Sequence, residues 1–396
     1  MVRFYCIACL FVVLLSLNAS AQDNRGQYPF LLSNSYVGVT PGYIHYNFTN
    51  DLLRPGYKAA NIVNPGLALR IVLGHEFNKY VSAQISYMRP IYWLEYRLMN
   101  VDSSDYAFFM NVGGFTGRFT LPVTKRFSVY AEGGLSVVTR TGFEIKNKEV
   151  APSTNFASYQ LSGGAQYTIN NRWKLAANFT FAPGKSDVKQ PNTYFYGFGI
   201  SYHMRPLSAE GVARNSSGGF FFPKNLMQVG FSTKALGYGL NYWFTKRPLP
   251  IFWDGDVRVA KGIALQYQQN TFHGRRFFSL DWGLNVSYFE TELNKQQFFT
   301  ASIFPVLRFW PLRTKSFDLY ANYTLAGPTY ISQKVMDNLV TGEHFTFYDA
   351  MGLGMFTGKN RNLNAEIRIA HYSNGNLFYH NPGELIPFTL NLGYTF

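Results

Sequence analysis

Cysteine is nearly missing from this chain of 396 residues: the two present, Cys6 and Cys9, both fall within the first 21 positions. Everything downstream therefore lacks a disulfide framework and a thiolate metal site. Long apolar runs are equally scarce. The one in "MVRFYCIACLFVVLLSLNASA" spans about ten residues, whereas a membrane-crossing helix needs about 20. Arg3 precedes it and Ala19-Ser20-Ala21 follow it, the pattern of a secretory signal with cleavage expected before Gln22. Charge is sparse as well, at 15% of residues, and acidic groups are the scarcer sign, 22 against 36 basic ones. The net charge is +14, or +13 once Arg3 leaves with the signal. Export removes nucleic acid as a partner class, so an anionic lipid surface suits this charge, unless the Lys and Arg simply solvate loops.

What is present is aromatic. Phe, Trp and Tyr make up 18% of the chain and there are 35 glycines, yet the mean hydropathy is close to zero. About 375 residues after the signal would suggest two or three soluble domains by length alone. A transmembrane barrel reconciles the composition better, because it is apolar only at every second residue. In "NTYFYGFGISYHM" (192–204), Tyr194, Tyr196, Phe198, Ile200, Tyr202 and Met204 share one face; Phe195, Gly197, Gly199, Ser201 and His203 share the other. The last stretch, "LIPFTLNLGYTF", alternates in the same way and ends on Phe396. A terminal aromatic of this kind resembles the closing signature of bacterial outer-membrane proteins.

Eight such runs precede residue 205, near 35–47, 66–77, 79–97, 105–120, 126–142, 157–169, 172–183 and 192–204. Eight more follow, near 226–243, 256–268, 276–289, 296–310, 315–326, 343–357, 361–373 and 384–396. Between them "RPLSAEGVARNSSGG" (205–219) has the small and polar composition of a linker. The expected fold class is all-β, with transmembrane antiparallel barrels: two eight-stranded barrels in tandem, or one barrel of sixteen strands. The tandem arrangement divides the chain into a signal (1–21), a first barrel (22–204), a linker (205–224) and a second barrel (225–396). An even strand count returns the chain to the periplasm, where a linker is readily accommodated.

Chemistry concentrates in "IRIAHYSNGNLFYHNPGE" (367–384). Ile367, Ile369, His371 and Ser373 share one parity, while Glu366 and Arg368 share the other and suit each other as partners in a polar lumen. His371 and Ser373 thus interrupt a lipid-facing row. Strand residues i and i+2 lie about 6.5 to 7 Å apart at their bases, within reach of an imidazole–hydroxyl contact. Serine needs such a base, and the base needs an orienting carboxylate. Counting back from the C-terminus puts Glu384 on the parity of Ile386, Phe388 and Phe396, also toward lipid. Asp349, on the apolar parity of Phe345, Phe347 and Met351, is the alternative acid. With the C-terminus in the periplasm, His371, Ser373 and Glu384 sit near the upper rim, at the level of the outer leaflet.

"AHYSNGN" followed by "NPGE" resembles the signature of the outer-membrane lipid A 3-O-deacylases, the PagL family, and the upstream "FYDAMGLG" is similar to that family's antepenultimate strand. The resemblance covers roughly 226–396. It implies an eight-stranded barrel with a lipid-facing triad in which Ser373 is the nucleophile, His371 its base and a glutamate the acid. Asn374 and the backbone amides of Gly375 and Asn376 match the family's oxyanion-stabilising turn. The family pattern expects its glutamate at position 385, where this chain has Leu385; strand parity favours Glu384 instead. The implied activity is that of an outer-membrane serine esterase, a carboxylic ester hydrolase removing the 3-O-linked hydroxyacyl chain of lipid A. Its partner would be lipopolysaccharide in the outer leaflet, and no cofactor is implied. The competing expectation is a non-enzymatic channel or structural barrel with a vestigial site.

The remaining signals are weaker. His45, His75, His203, His273, His344 and His380 lack metal-ligand spacing with acids, which points to loop or interior roles. "HGRR" (273–276) falls on the periplasmic side by strand count. "NRWKLAANFTFAPG" (from Asn171) faintly parallels "NRNLNAEIRIAHYSNG" (from Asn360) but lacks the histidine and serine.

Overall fold

In a computed structural model, residues 25–245, 255–378 and 380–396 are described; the expected signal lies outside them. Sixteen long strands carry the two halves. The first half holds β1 (Ser35–His45), β2 (Leu67–Glu76), β3 (Val81–Pro90), β4 (Tyr106–Pro122), β5 (Phe127–Thr141), β6 (Thr154–Thr168), β7 (Trp173–Ala182) and β8 (Thr193–His203). The second holds β9 (Asn225–Thr233), β10 (Val257–His273), β11 (Phe278–Thr291), β12 (Gln297–Arg313), β13 (Phe317–Ile331), β14 (Phe345–Thr357), β15 (Leu363–Ser373) and β16 (Glu384–Thr395). Each strand pairs with its sequence neighbours, and the ends meet: β1 with β8, and β9 with β16. The chain therefore closes twice, as two antiparallel barrels of eight strands rather than one of sixteen. Closure leaves no strand edge to be satisfied by absent water, the condition for crossing a bilayer with strands.

Alternation sorts side chains between lipid and lumen. On β8, Tyr196, Phe198 and Ile200 are exposed, while Phe195 is fully buried; on β16, Leu390, Leu392 and Tyr394 are exposed between buried Thr389, Asn391 and Thr395. Both lumens are filled. In the first, Glu132 accepts hydrogen bonds from Arg70 (2.8 Å), Arg118 (2.5 Å) and Gln84 (2.7 Å). In the second, Glu366 accepts from Arg368 (2.7 Å), Tyr320 (2.7 Å) and Asn322 (2.6 Å), the pairing expected from their shared parity. Asp281 pairs with Arg308 nearby. Tyr46, Phe48, Leu52, Leu94, Tyr96, Phe108 and Val150 form an apolar cluster from the loops and strand ends at one end of the first barrel.

Connectors at 77–80, 123–126, 169–172, 274–277, 314–316 and 358–362 are short, and both barrels begin and end on that side. Short turns mark the periplasmic side of such barrels, so the turn after His273 is periplasmic, as strand counting indicates. The expected strand 226–243 is shorter: β9 stops at Thr233, and after Gly237 (φ +68°) the chain enters a helix at Gly239–Thr245. The expected linker carries a helix, Ala209–Ser216, capped by Ser208, whose hydroxyl accepts from the Gly211 amide at 3.2 Å. These helices are α1 (Ala209–Ser216) and α2 (Gly239–Thr245). The expected strand 79–97 divides, because Leu94–Met99 leaves the wall to pair with Ala59–Val63 above it.

Candidate active site

β15 keeps the lipid parity through Leu363 and Ile367, both exposed, and then carries His371 and Ser373 on the same row. His371 is only 4% exposed there, and α2 packs against β15 and β16. Across the ladder to β14, His371 lies opposite Asp349, and Ser373 opposite Phe347. Directly opposed residues share a face, with Cβ atoms about 4.5–5.5 Å apart. Asp349 is anchored in turn: its Oδ1 accepts the Ala326 amide at 2.6 Å. Ala326 sits at φ +47°, in the irregularity of β13 between Thr324 and Gly327. A bulge on one strand thus aims an N–H at the acid on the next.

On the other flank the structure corrects the parity argument. β15 and β16 pair in one register up to Arg368 opposite Thr389, then shift, so that Ala370 faces Ile386, His371 faces Leu385 and Tyr372 faces Glu384. One residue of β15, Ile369, spans two of β16, Pro387 and Phe388. Every side chain above this bulge changes face. Glu384 therefore stands on the lumen row opposite Tyr372, whose ring lies beside those of Tyr348 and Phe289. Leu385, the position where the family resemblance expects the glutamate, is the residue opposite His371. Pro387 was the available signal, since proline inside a central strand is confined to bulges.

The turn after Ser373 supplies polar groups. Gly375 (φ +64°) and Asn376 (φ +59°) are the two left-handed residues of a turn closed by the Leu377 amide on Asn374 O at 3.1 Å. This is the primed type I geometry, which suits Gly and Asn. The Gly375 amide donates to Ser373 Oγ at 3.3 Å. Asn374 is used differently from the expectation: its backbone amide donates to Asn381 Oδ1 (2.8 Å) and its side-chain amide to His380 O (2.8 Å). Asn381 is the residue sequence reasoning missed. Its Nδ2 donates to Ser373 Oγ (2.9 Å) and to Asn376 Oδ1 (2.9 Å), while its Oδ1 accepts from Ser373 Oγ (3.2 Å). The Asn-Pro step at 381–382 marked only a turn.

Residues 261–395 match the profile of the lipid A 3-O-deacylase family, PagL. Residues 7–203 match the outer membrane protein beta-barrel domain. The PagL match begins inside β10 and contains every residue of the candidate site. The chain resides in the cell outer membrane. No curated protein sequence matches it. Among solved structures it is similar to the outer-membrane enzyme PagL, at 14% identity over 43% of this chain and 99% of that one, with a TM-score of 0.31. The N-terminal barrel of Pseudomonas aeruginosa OprF is similar at 13% identity over 43% and 98%, TM-score 0.28. Ail of Yersinia pestis is similar at 14% over 43% and 97%, TM-score 0.29.

The first barrel has a serine and a histidine of its own, outside the faintly parallel stretch. Ser201 Oγ lies 3.0 Å from His203 Nε2, and His203 Nδ1 lies 3.1 Å from Glu76. Glu76 is also engaged by Lys174 (3.0 Å) and by Arg205, and the His203 ring stacks on Tyr36. These groups form an ion-pair network at the periplasmic mouth of the lumen, and His203 has the interior role expected of it.

Proposed function

We propose that the PagL-like half is an outer-membrane serine esterase acting on the 3-O-linked hydroxyacyl chain of lipid A. The observation that carries this reading is the row on the lipid-facing wall: Asp349 opposite His371, with Ser373 two residues further. Ser373 Oγ attacks the ester carbonyl while His371 takes its proton, and the Asp349 carboxylate stabilises the imidazolium that forms. The Gly375 amide and Asn381 Nδ2 already address Ser373 Oγ, so they are the nearest donors for the tetrahedral oxyanion. On collapse His371 returns the proton to the sugar oxygen, which leaves as the alcohol. Water, deprotonated by the same imidazole, then releases the hydroxy fatty acid from Ser373.

Asp349 takes the acid's role in this reading in place of Glu384, which faces the lumen. Leu385 favours one second reading, a structural barrel whose site has lost its acid. Mass spectrometry of lipid A from cells expressing the wild type and Ser373→Ala separates the two. The esterase predicts loss of one hydroxyacyl chain with the wild type only; identical acyl patterns leave the structural barrel.

A further inference from the structure

The first barrel touches the candidate site. Asn155 is the second residue of β6, on the outward row that continues through exposed Tyr159 and Leu161. Like His371 and Ser373, it places a polar group on a lipid-facing row near the extracellular rim. Its Nδ2 donates to Asn376 O at 2.6 Å. Asn376 is the second left-handed residue of the turn, and its own side-chain oxygen accepts from Asn381, which holds Ser373 Oγ. A continuous path of hydrogen bonds thus runs from the first barrel, through the turn and Asn381, to the serine. The halves are also tied at the opposite end. Tyr28 donates to or accepts from Tyr202 of β8 at 2.7 Å while its ring stacks on Phe272 of β10 at 4.5 Å, and the His273 amide donates to Arg25 O at 2.8 Å.

We infer that the first barrel is a docking wall for the site turn and that Asn155 is a positioning residue for it. The physical need is plain. The connector 374–383 is long for a hairpin, and loops of this kind are among the segments that open most readily. Oxyanion donors act only when fixed before the charge develops, and a misplacement of about 1 Å can cost about a hundredfold in rate. Asn155 binds the turn from a rigid strand of a separate barrel, so the turn's position does not depend on its own loop alone. The inference about rate rests on the esterase reading; the inference about the tether does not.

The test uses the full chain in outer-membrane lipid, as wild type, Asn155→Ala, Asn155→Asp and Asn155→Gln. Hydrogen–deuterium exchange reports the tether: exchange across 374–383 rises in Asn155→Ala and Asn155→Asp, which lack the donor, and stays nearer wild type in Asn155→Gln. Deacylation kinetics report the consequence: kcat falls about tenfold or more in the first two variants with KM within about twofold, and Asn155→Gln recovers most of it. Unchanged exchange overturns the tether whatever the activity. Raised exchange with unchanged kcat overturns the positioning role. An inactive wild type removes the esterase reading, and the exchange measurement still decides the tether.

Discussion

Replacing Asp349 by Asn is the sharpest perturbation of the candidate site, because two carboxylates compete for the role of acid and stand on opposite faces of the wall. The substitution is isosteric and keeps an oxygen for the Ala326 amide, so the strand and the bulge of β13 stay as they are. What disappears is a negative charge opposite His371. With opposed side chains on one face, a charge separation of about 4 Å and an effective dielectric near 20 give about 4 kcal/mol between carboxylate and imidazolium. At about 1.4 kcal/mol per decade this is about three orders of magnitude in kcat. Glu384→Gln is isosteric and alters only the lumen row, so it should leave the rate within about threefold. Both are measured by the release of hydroxy fatty acid from lipid A in detergent or vesicles. A third variant, Asp349→Asn with Leu385→Glu, places a carboxylate opposite His371 from the other flank and should recover one to two of the lost decades. The reasoning is refuted if Glu384→Gln abolishes turnover while Asp349→Asn retains it. In that case the bulge at Pro387 does not set the facing of residue 384 in the working enzyme.

Other outcomes follow from the same geometry. Asn381→Ala removes the donor nearest Ser373 Oγ and should lower kcat by about a hundredfold with little change in KM; a pure KM effect would make Asn381 a substrate contact instead. Glu366→Leu leaves Arg368 without its carboxylate partner and should lower the stability of the second barrel by about 3–5 kcal/mol, seen as an earlier unfolding midpoint in denaturant titrations of the purified chain. An unchanged midpoint would mean that Tyr348 and Gln266, which also receive the Arg368 guanidinium, suffice for it.

Period-two alternation made the barrels legible, since in a wall one residue thick every side chain must choose between lipid and lumen. The strand spans and the Glu366–Arg368 pairing follow from that single rule. Closure as two barrels was suggested by the linker and established by which strands meet. The rule fails where the ladder is interrupted. Pro387 shifts the register by one residue, and a count from Phe396 carries Glu384 to the wrong face. The same bulge puts Leu385 beside His371, while the unbroken β14–β15 ladder puts Asp349 there, a neighbour relation between three strands that no single strand's parity contains. Asn381 was hidden for another reason: loop side chains have no period, so their partners emerge only with the turn's three-dimensional course. The helix after β9 was missed because its apolar residues continue the aromatic composition of the strand before it. Contact between the barrels leaves no periodic trace at all, and Asn155 is an ordinary polar residue until Asn376 is seen beside it.

Ser373 stands on the outer surface of the barrel wall, on the row that faces the bilayer. Whatever reaches it arrives by lateral diffusion within one leaflet, and the quantity that sets its occupancy is a surface density rather than a bulk molarity. Turnover in vesicles should therefore fall when the substrate lipid is diluted with inert lipid in the same membrane and stay constant when the vesicle suspension is diluted with buffer. On the proposed esterase reading, its rate would report the composition of the leaflet it inhabits.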